Sequence, residues 1–205
     1  MKRIKVDVAV IGGGTAGMVA YRKAKENADH VVLVEGGQYG TTCARVGCMP
    51  SKLLISAAEA VHAIQEAPGF GIFPNGETIV DGVKVMERVR SERDRFVGFV
   101  LDSIDSIPPE NKITGYAKFL DNHTLQVDDH TTIDVASIVI ATGSSPAILP
   151  MFEPAGDRLI VNDDVFYRQD LPESVVIFGA GLIGLELGQA LHRLVVRTKL
   201  WSKFV

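Results

Sequence analysis

Both cysteines of the chain lie in one stretch, Gly40-Thr41-Thr42-Cys43-Ala44-Arg45-Val46-Gly47-Cys48-Met49-Pro50-Ser51-Lys52. Four residues separate them. In a continuous α-helix that offset turns the chain by about 140° and splays the sulfurs apart. A bond between them needs Cα atoms within ~4.4–6.8 Å. Gly47 relaxes the backbone just before Cys48, and Pro50 fixes φ near the start of the following helix, so the approach is permitted. Two readings stand on the pair alone: unrelated buried thiols, or a redox or metal-binding pair. Zinc is disfavoured, because a structural site takes about four ligands and no second Cys/His cluster lies nearby. Lys52 falls in the first turn of the next helix, the end of the dipole that disfavours a cation, and alone it reads as a solvated lysine. A glycine fingerprint upstream, at residues 12–17, favours the redox reading.

That fingerprint needs elements to hold it. Residues 5–11 read as a buried parallel strand: short, β-branched and ending at glycine. Gly12-Gly13-Gly14-Thr15-Ala16-Gly17 follows, a GxGxxG in which Gly12 permits a tight turn, Gly14 lets a pyrophosphate approach and Gly17 allows close helix–strand packing. A helix over about 16–27 presents its N-terminal N–H groups to phosphate. A second strand, 30–34, leads into Glu35, where an acid can hydrogen-bond a ribose hydroxyl. The cysteine stretch runs into a helix over 51–65.

Pro68-Gly69 and Pro74-Asn75-Gly76 open a loop. A long helix over 83–106 puts Met86, Val89, Phe96, Val97, Val100, Leu101 and Ile104 on one face. It is expected to pack across the sheet, with Arg90, Glu92 and Arg93 on a solvated face. Residues 112–120, 124–127 and 131–135 read as three antiparallel strands, with His123 and His130 as surface histidines in or beside their turns. A buried apolar strand over 137–141 ends at Thr142-Gly143, where a ligand can come close. Residues 146–156 are proline-rich and read as a connection between domains. A strand at 174–178 then leads to a second GxGxxG, Gly179-Ala180-Gly181-Leu182-Ile183-Gly184, a helix to about 194 and a strand over 195–201. Ser202-Lys203 follows where an acid is expected, which argues against a strict NAD preference.

The fold class is therefore α/β. A Rossmann-like domain over 1–150 carries an antiparallel insertion at about 112–135, and the start of a second such domain occupies 151–205. The net charge of −4 and the absence of a basic block disfavour nucleic acid as a partner. The apolar run behind the charged start is too short for a signal-peptide core, and no segment approaches the ~20 apolar residues of a membrane span. Two cysteines without a secretion signal fit a reducing cytoplasm, where a persistent pair is usually catalytic.

Two fingerprints, the cysteine stretch after the first, and Ala141-Thr142-Gly143 before the second resemble the flavin-dependent pyridine nucleotide–disulfide oxidoreductases. Val46-Gly47-Cys48-Met49-Pro50-Ser51-Lys52 and Gly184-Leu185-Glu186 look most like the dihydrolipoamide dehydrogenase branch. Leu182 stands where glutathione reductases carry a tyrosine. The resemblance implies FAD on the first fingerprint, with Gly12, Gly14, Thr15, Ala16 and Gly17 at the pyrophosphate and Glu35 on the ribose. It implies Thr42 and Ala117 against the cofactor, and Thr142 and Gly143 closing the pocket. It also implies a Cys43–Cys48 disulfide, with Cys48 facing the flavin and Cys43 exchanging with a dithiol substrate such as a lipoyl group. Lys52 is then expected beside the flavin, paired with Glu186, and Gly179, Gly181 and Gly184 are expected to hold NAD or NADP.

Two departures accompany the resemblance. Ala44-Arg45 stands where the family commonly has an apolar residue and asparagine. The family's C-terminal half, which supplies the dimer interface and a histidine–glutamate acid/base, has no counterpart here. The chain is expected to be the N-terminal piece of a homodimeric enzyme. The alternatives are a flavin- or nucleotide-binding module without thiol chemistry, or a glutathione- or mercuric-reductase-like member.

Overall fold

The computed structural model describes residues 1–202 and resolves two compact units. One comprises residues 1–44 and 96–145, the other residues 45–95 and 146–205. The chain crosses from the first unit to the second at 145/146. Two more crossings, at 44/45 and 95/96, assign the helix after the cysteines to the second unit.

The first unit is built on a six-stranded sheet of order β3-β2-β1-β6-β5-β4. Its strands are β1 (Lys2–Ile11), β2 (Val31–Glu35), β3 (Lys112–Thr114), β4 (Ala117–Asp121), β5 (Thr124–Val127) and β6 (Thr131–Ile140). Helix α1 (Thr15–Lys25) makes the crossover from β1 to the parallel β2, as a βαβ unit requires. Period-2 alternation sorts the strands onto two cores. Val10, Val31 and Leu33 meet Met18, Tyr21 and Ile104 on one face, while Ala9, Ile11, Val32 and Val34 join Leu125, Val127 and Ile133 on the other.

Three expectations need correction here. The 112–120 segment is two strands: β3 extends the parallel edge beside β2, and only β4 is antiparallel. Residues 131–135 and 137–141 are one strand, because β6 pairs in register with β1 from Lys2–Thr131 to Ile11–Ile140 while its first half also pairs with β5. The end of β6 is not buried: Ile140 is 66% exposed.

In the second unit, α3 (Cys48–Glu66), the first part of α4 (Gly82–Asp105) and α5 (Leu182–Arg193) enclose Leu54, Ala58, Met86, Val89, Phe166, Leu187 and Leu191. The parallel pair β7 (Ser174–Phe178) and β8 (Arg197–Trp201) flanks α5. Arg93 does not belong to a solvated face. It is buried, donates to the Phe166 carbonyl at 2.8 Å and lies 4.8 Å from the Tyr167 ring centre. Its planar guanidinium meets both partners at once, so a charge on α4 becomes part of the packing.

Candidate functional site

The first glycine turn is shaped by what each glycine must avoid. Gly12 has φ +107 and donates to the Val34 carbonyl at 2.8 Å. A side chain there would strike the backbone of Ala141 and reach 3.1 Å from the Thr142 nitrogen, so Ala141 and Thr142 run beside the turn. A Cβ on Gly17 would press on the Gly12 backbone, 2.9 Å from its carbonyl carbon. Around Gly14, by contrast, a Cβ would meet nothing within 4 Å, and Gly14 caps α1 with extended backbone and no side-chain bond. An open cradle facing the N–H groups of a first turn is the geometry that accepts a pyrophosphate. Thr15, Ala16 and Gly17 form that first turn.

Glu35 ends β2 and is held on the turn. Its two oxygens accept the N–H groups of Gly13 at 2.5 Å and Gly37 at 2.7 Å. A carboxylate has about four acceptor sites, so both bonds leave capacity for a ribose hydroxyl. Tyr39 packs on Gly13, where a Cβ would come within 2.6 Å of its ring. Burial, and then the charge of Glu35, raise the Tyr39 phenol above its ordinary range. Its buried hydroxyl has no hydrogen-bond partner among the described residues. Ala117 opens β4 and is half-buried.

The cysteine stretch folds as two helices with a break at the glycine. Helix α2 (Thr42–Val46) ends before Gly47, whose φ −124 and ψ −123 are non-helical, and Cys48 is the first residue of α3. Thr42 is exposed, Cys43 half-buried and Cys48 exposed. Gly47 does divide the helices as its backbone freedom suggests, but it leaves each sulfur on its own helix. Ahead of them, Thr41 has φ +59, a conformation rarely taken by a β-branched residue, and its hydroxyl accepts the Ala44 N–H at 3.2 Å. Nothing in the sequence marks Thr41 or Tyr39, beyond their place between the fingerprint acid and the first cysteine.

In the second unit the structure brings Lys52 and Glu186 together as an ion pair between α3 and α5. Lys52 stands four residues after Cys48, so ammonium and thiol share a face of α3. Arg45 lies 3.5 Å from the Tyr167 hydroxyl. Asp163 is pushed above the usual carboxylate range by burial and then by Asp164, with Arg45 and Asn162 opposing.

The second glycine turn repeats the first. Gly179 has φ +117, Gly181 caps α5 with open space around it, and a Cβ on Gly184 would come 3.3 Å from the Gly179 carbonyl carbon. Gly179 also donates to the Trp201 carbonyl at 2.9 Å. Lys203, expected to replace an acid after β8, lies outside the described residues. Among the described residues no group of three or more His, Cys, Asp or Glu could hold a metal, and no helix is long and apolar enough to cross a membrane.

The fold has counterparts among known proteins. A dihydrolipoyl dehydrogenase of Bacillus subtilis (strain 168) is 30% identical over 201 residues, covering 91% of this chain and 41% of that protein. The Geobacillus stearothermophilus dihydrolipoyl dehydrogenase is 34% identical over 193 residues, covering 91% and 40%. The chain thus spans about 40% of the length of these curated relatives. Among solved structures, the flavoprotein disulfide reductase RclA from Escherichia coli, as a Cu(II) complex, superposes with a TM-score of 0.76 at 24% identity, over 95% of this chain and 41% of that one. That likeness shows the same fold. The family model for pyridine nucleotide–disulphide oxidoreductases matches residues 6–201, and the chain belongs to that family.

Proposed function

We propose that this chain forms the flavin site, the redox thiols and part of the nicotinamide site of a dihydrolipoyl dehydrogenase-like enzyme. The observation that carries the reading is the placement of Cys48, which opens α3 one turn from Lys52, itself paired with Glu186 beside the second glycine turn. A thiolate at Cys48 would meet the positive end of the α3 dipole and an ammonium on the same face.

FAD fits the first turn, with its pyrophosphate over Gly14 and the α1 N-terminus and its ribose on Glu35. Thr42, Ala117, Thr142 and Gly143 would bound it. NAD or NADP fits the second, over Gly181 and α5. When bound, FAD supplies the two-electron relay between thiols and nicotinamide. In the oxidised enzyme Cys43 and Cys48 would be joined. A substrate thiolate attacks the Cys43 sulfur, the Cys43–Cys48 bond breaks, and Cys48 leaves as a thiolate. The second substrate thiol then attacks the substrate-side sulfur of the mixed disulfide. Cys43 is released, so one dithiol is oxidised as one disulfide is reduced. A lipoyl group is the dithiol we favour, with a homodimeric, cytoplasmic full-length enzyme as the setting.

Titrating the flavin-loaded protein with dithionite tests this. A long-wavelength charge-transfer band at two electrons, absent in Cys48→Ser, is the expected result. Flavin binding without the band at any stage would leave a nucleotide-binding module and remove the thiol chemistry.

A further inference from the structure

The stretch between α3 and α4 contains two steps in which glycine follows a residue with a side-chain carbonyl, Asn75-Gly76 and Asp81-Gly82. In such a step the glycine nitrogen can attack the preceding Cγ and close a five-membered succinimide ring. Glycine, having no Cβ, hinders that closure least. Both steps lie within the second unit, and the fold treats them differently.

Asp81 is tied into the start of α4. Its Oδ1 accepts the Lys84 N–H at 3.0 Å, its carbonyl accepts the Val85 N–H at 3.0 Å, and Lys84 Nζ lies 3.4 Å from Oδ2. The Lys84 N–H, opposed by desolvation and supported by the Lys84 ammonium, holds this carboxyl below the usual carboxylate range. A carboxylate is a poor electrophile. Gly82 opens α4 and packs on Leu171, where a Cβ would come 3.1 Å from the leucine Cβ. Ring closure at Asp81 would have to undo the helix start.

Asn75 carries none of these restraints. Residues 72–81 form neither helix nor strand, and residues 68–79 are all exposed. Among the described residues, nothing hydrogen-bonds the Asn75 amide or the Gly76 N–H. Gly76 has φ +96, and a Cβ there would meet nothing within 4 Å. Nucleophile and amide carbon are therefore adjacent and solvated, and no tertiary contact has to break before they react.

We propose that Asn75 is a self-modifying site, at which the folded protein converts asparagine into aspartyl and isoaspartyl residues without an enzyme. The Gly76 nitrogen loses its proton and bonds to Asn75 Cγ, the Cγ–Nδ2 bond breaks, and the amide nitrogen leaves as ammonia. Water then opens the ring at one of its two carbonyls. Opening at Cγ gives an aspartate, and opening at the main-chain carbonyl leaves the chain running through Cγ with a free α-carboxylate. Either product adds one negative charge to a chain whose net charge is already −4. The new carboxylate enters a segment whose Phe70, Ile72, Phe73 and Ile79 are exposed, so copies of different age present different surfaces there.

The test holds the 205-residue chain at mildly alkaline pH, folded and in urea. Products are mapped by fragmentation mass spectrometry that separates residue 75 from residue 81, with isoaspartate labelled by a β-aspartyl methyltransferase. Residue 75 of the folded protein should gain about one dalton, as NH2 gives way to OH, at a rate within about threefold of that in urea, because the site needs no opening. Asp81 should form isoaspartate at least about tenfold more slowly folded than in urea. Asn75→Gln, whose closure would need a less favoured six-membered ring, should lose the modification. A rate at Asn75 that drops more than about tenfold on folding would overturn the inference, because the segment would then be closed to the reaction. So would an Asp81 that reacts as fast folded as unfolded, since the fold would not be choosing between the two steps.

Discussion

Thr41 shows how one residue next to the first cysteine is held against its own preference. At φ +59 its β-branched side chain costs about 1–2 kcal/mol relative to a right-handed conformation. The hydrogen bond from the Ala44 N–H returns about 0.5–1.5 kcal/mol. Thr41→Ala keeps the strain and discards the bond, so it should lose about 1 kcal/mol in urea unfolding. Thr41→Gly discards both, adds about 0.4–1 kcal/mol of chain entropy, and should stay close to wild type. An alanine variant as stable as the glycine one would mean that this backbone is not left-handed in solution. The candidate side chains stand out in the sequence because the fingerprint glycines, Glu35, both cysteines and Lys52 form a pattern of types and spacing that needs no fold to be seen. Thr41 and Tyr39 do not, since a positive φ in threonine and an unpartnered buried hydroxyl arise only once the chain is folded around them.

At the scale of elements, the glycines of each turn divide into those that pack and those that leave room, and substitution separates the two. Gly17→Ala places a methyl on the Gly12 backbone, which forces α1 away from β1 and should cost about 1–3 kcal/mol. Gly14→Ala meets no protein atom, so its thermal midpoint should match wild type while FAD affinity falls at least tenfold, because the methyl fills the cradle. If flavin fluorescence shows Gly14→Ala binding FAD normally, the cradle is not where the pyrophosphate lies. These strand–turn–helix units were legible because their periodicity and punctuation are local. The merging of residues 131–140 into one strand was not, since it follows from pairing with β1 more than a hundred residues away. The burial of Arg93 depends in the same way on Phe166 and Tyr167, far along the chain.

For the whole chain, two units on the same glycine-turn plan differ in what their sheets cover. The six strands of the first unit enclose two cores, but the two strands of the second leave an apolar outer face. On that face Phe178 and Trp201, each 53% exposed, meet edge to face with centroids 5.8 Å apart, and Phe152 lies 4.6 Å from Phe178. Val176 projects beside them, in register with Lys199 on β8. A contiguous apolar patch of this kind drives association. The 205-residue chain should therefore self-associate as its concentration rises, more strongly as the pH falls toward its isoelectric point near 5.7, where net charge no longer opposes contact. Trp201 is the sole tryptophan, so its emission should shift to the blue in step with the sedimentation coefficient. Val176→Glu puts a carboxylate across from Lys199 and breaks the patch while gaining a cross-strand ion pair. It should abolish both changes without lowering the thermal midpoint. If the variant associates as readily as wild type, the outer face of β7 and β8 is not the surface through which copies meet.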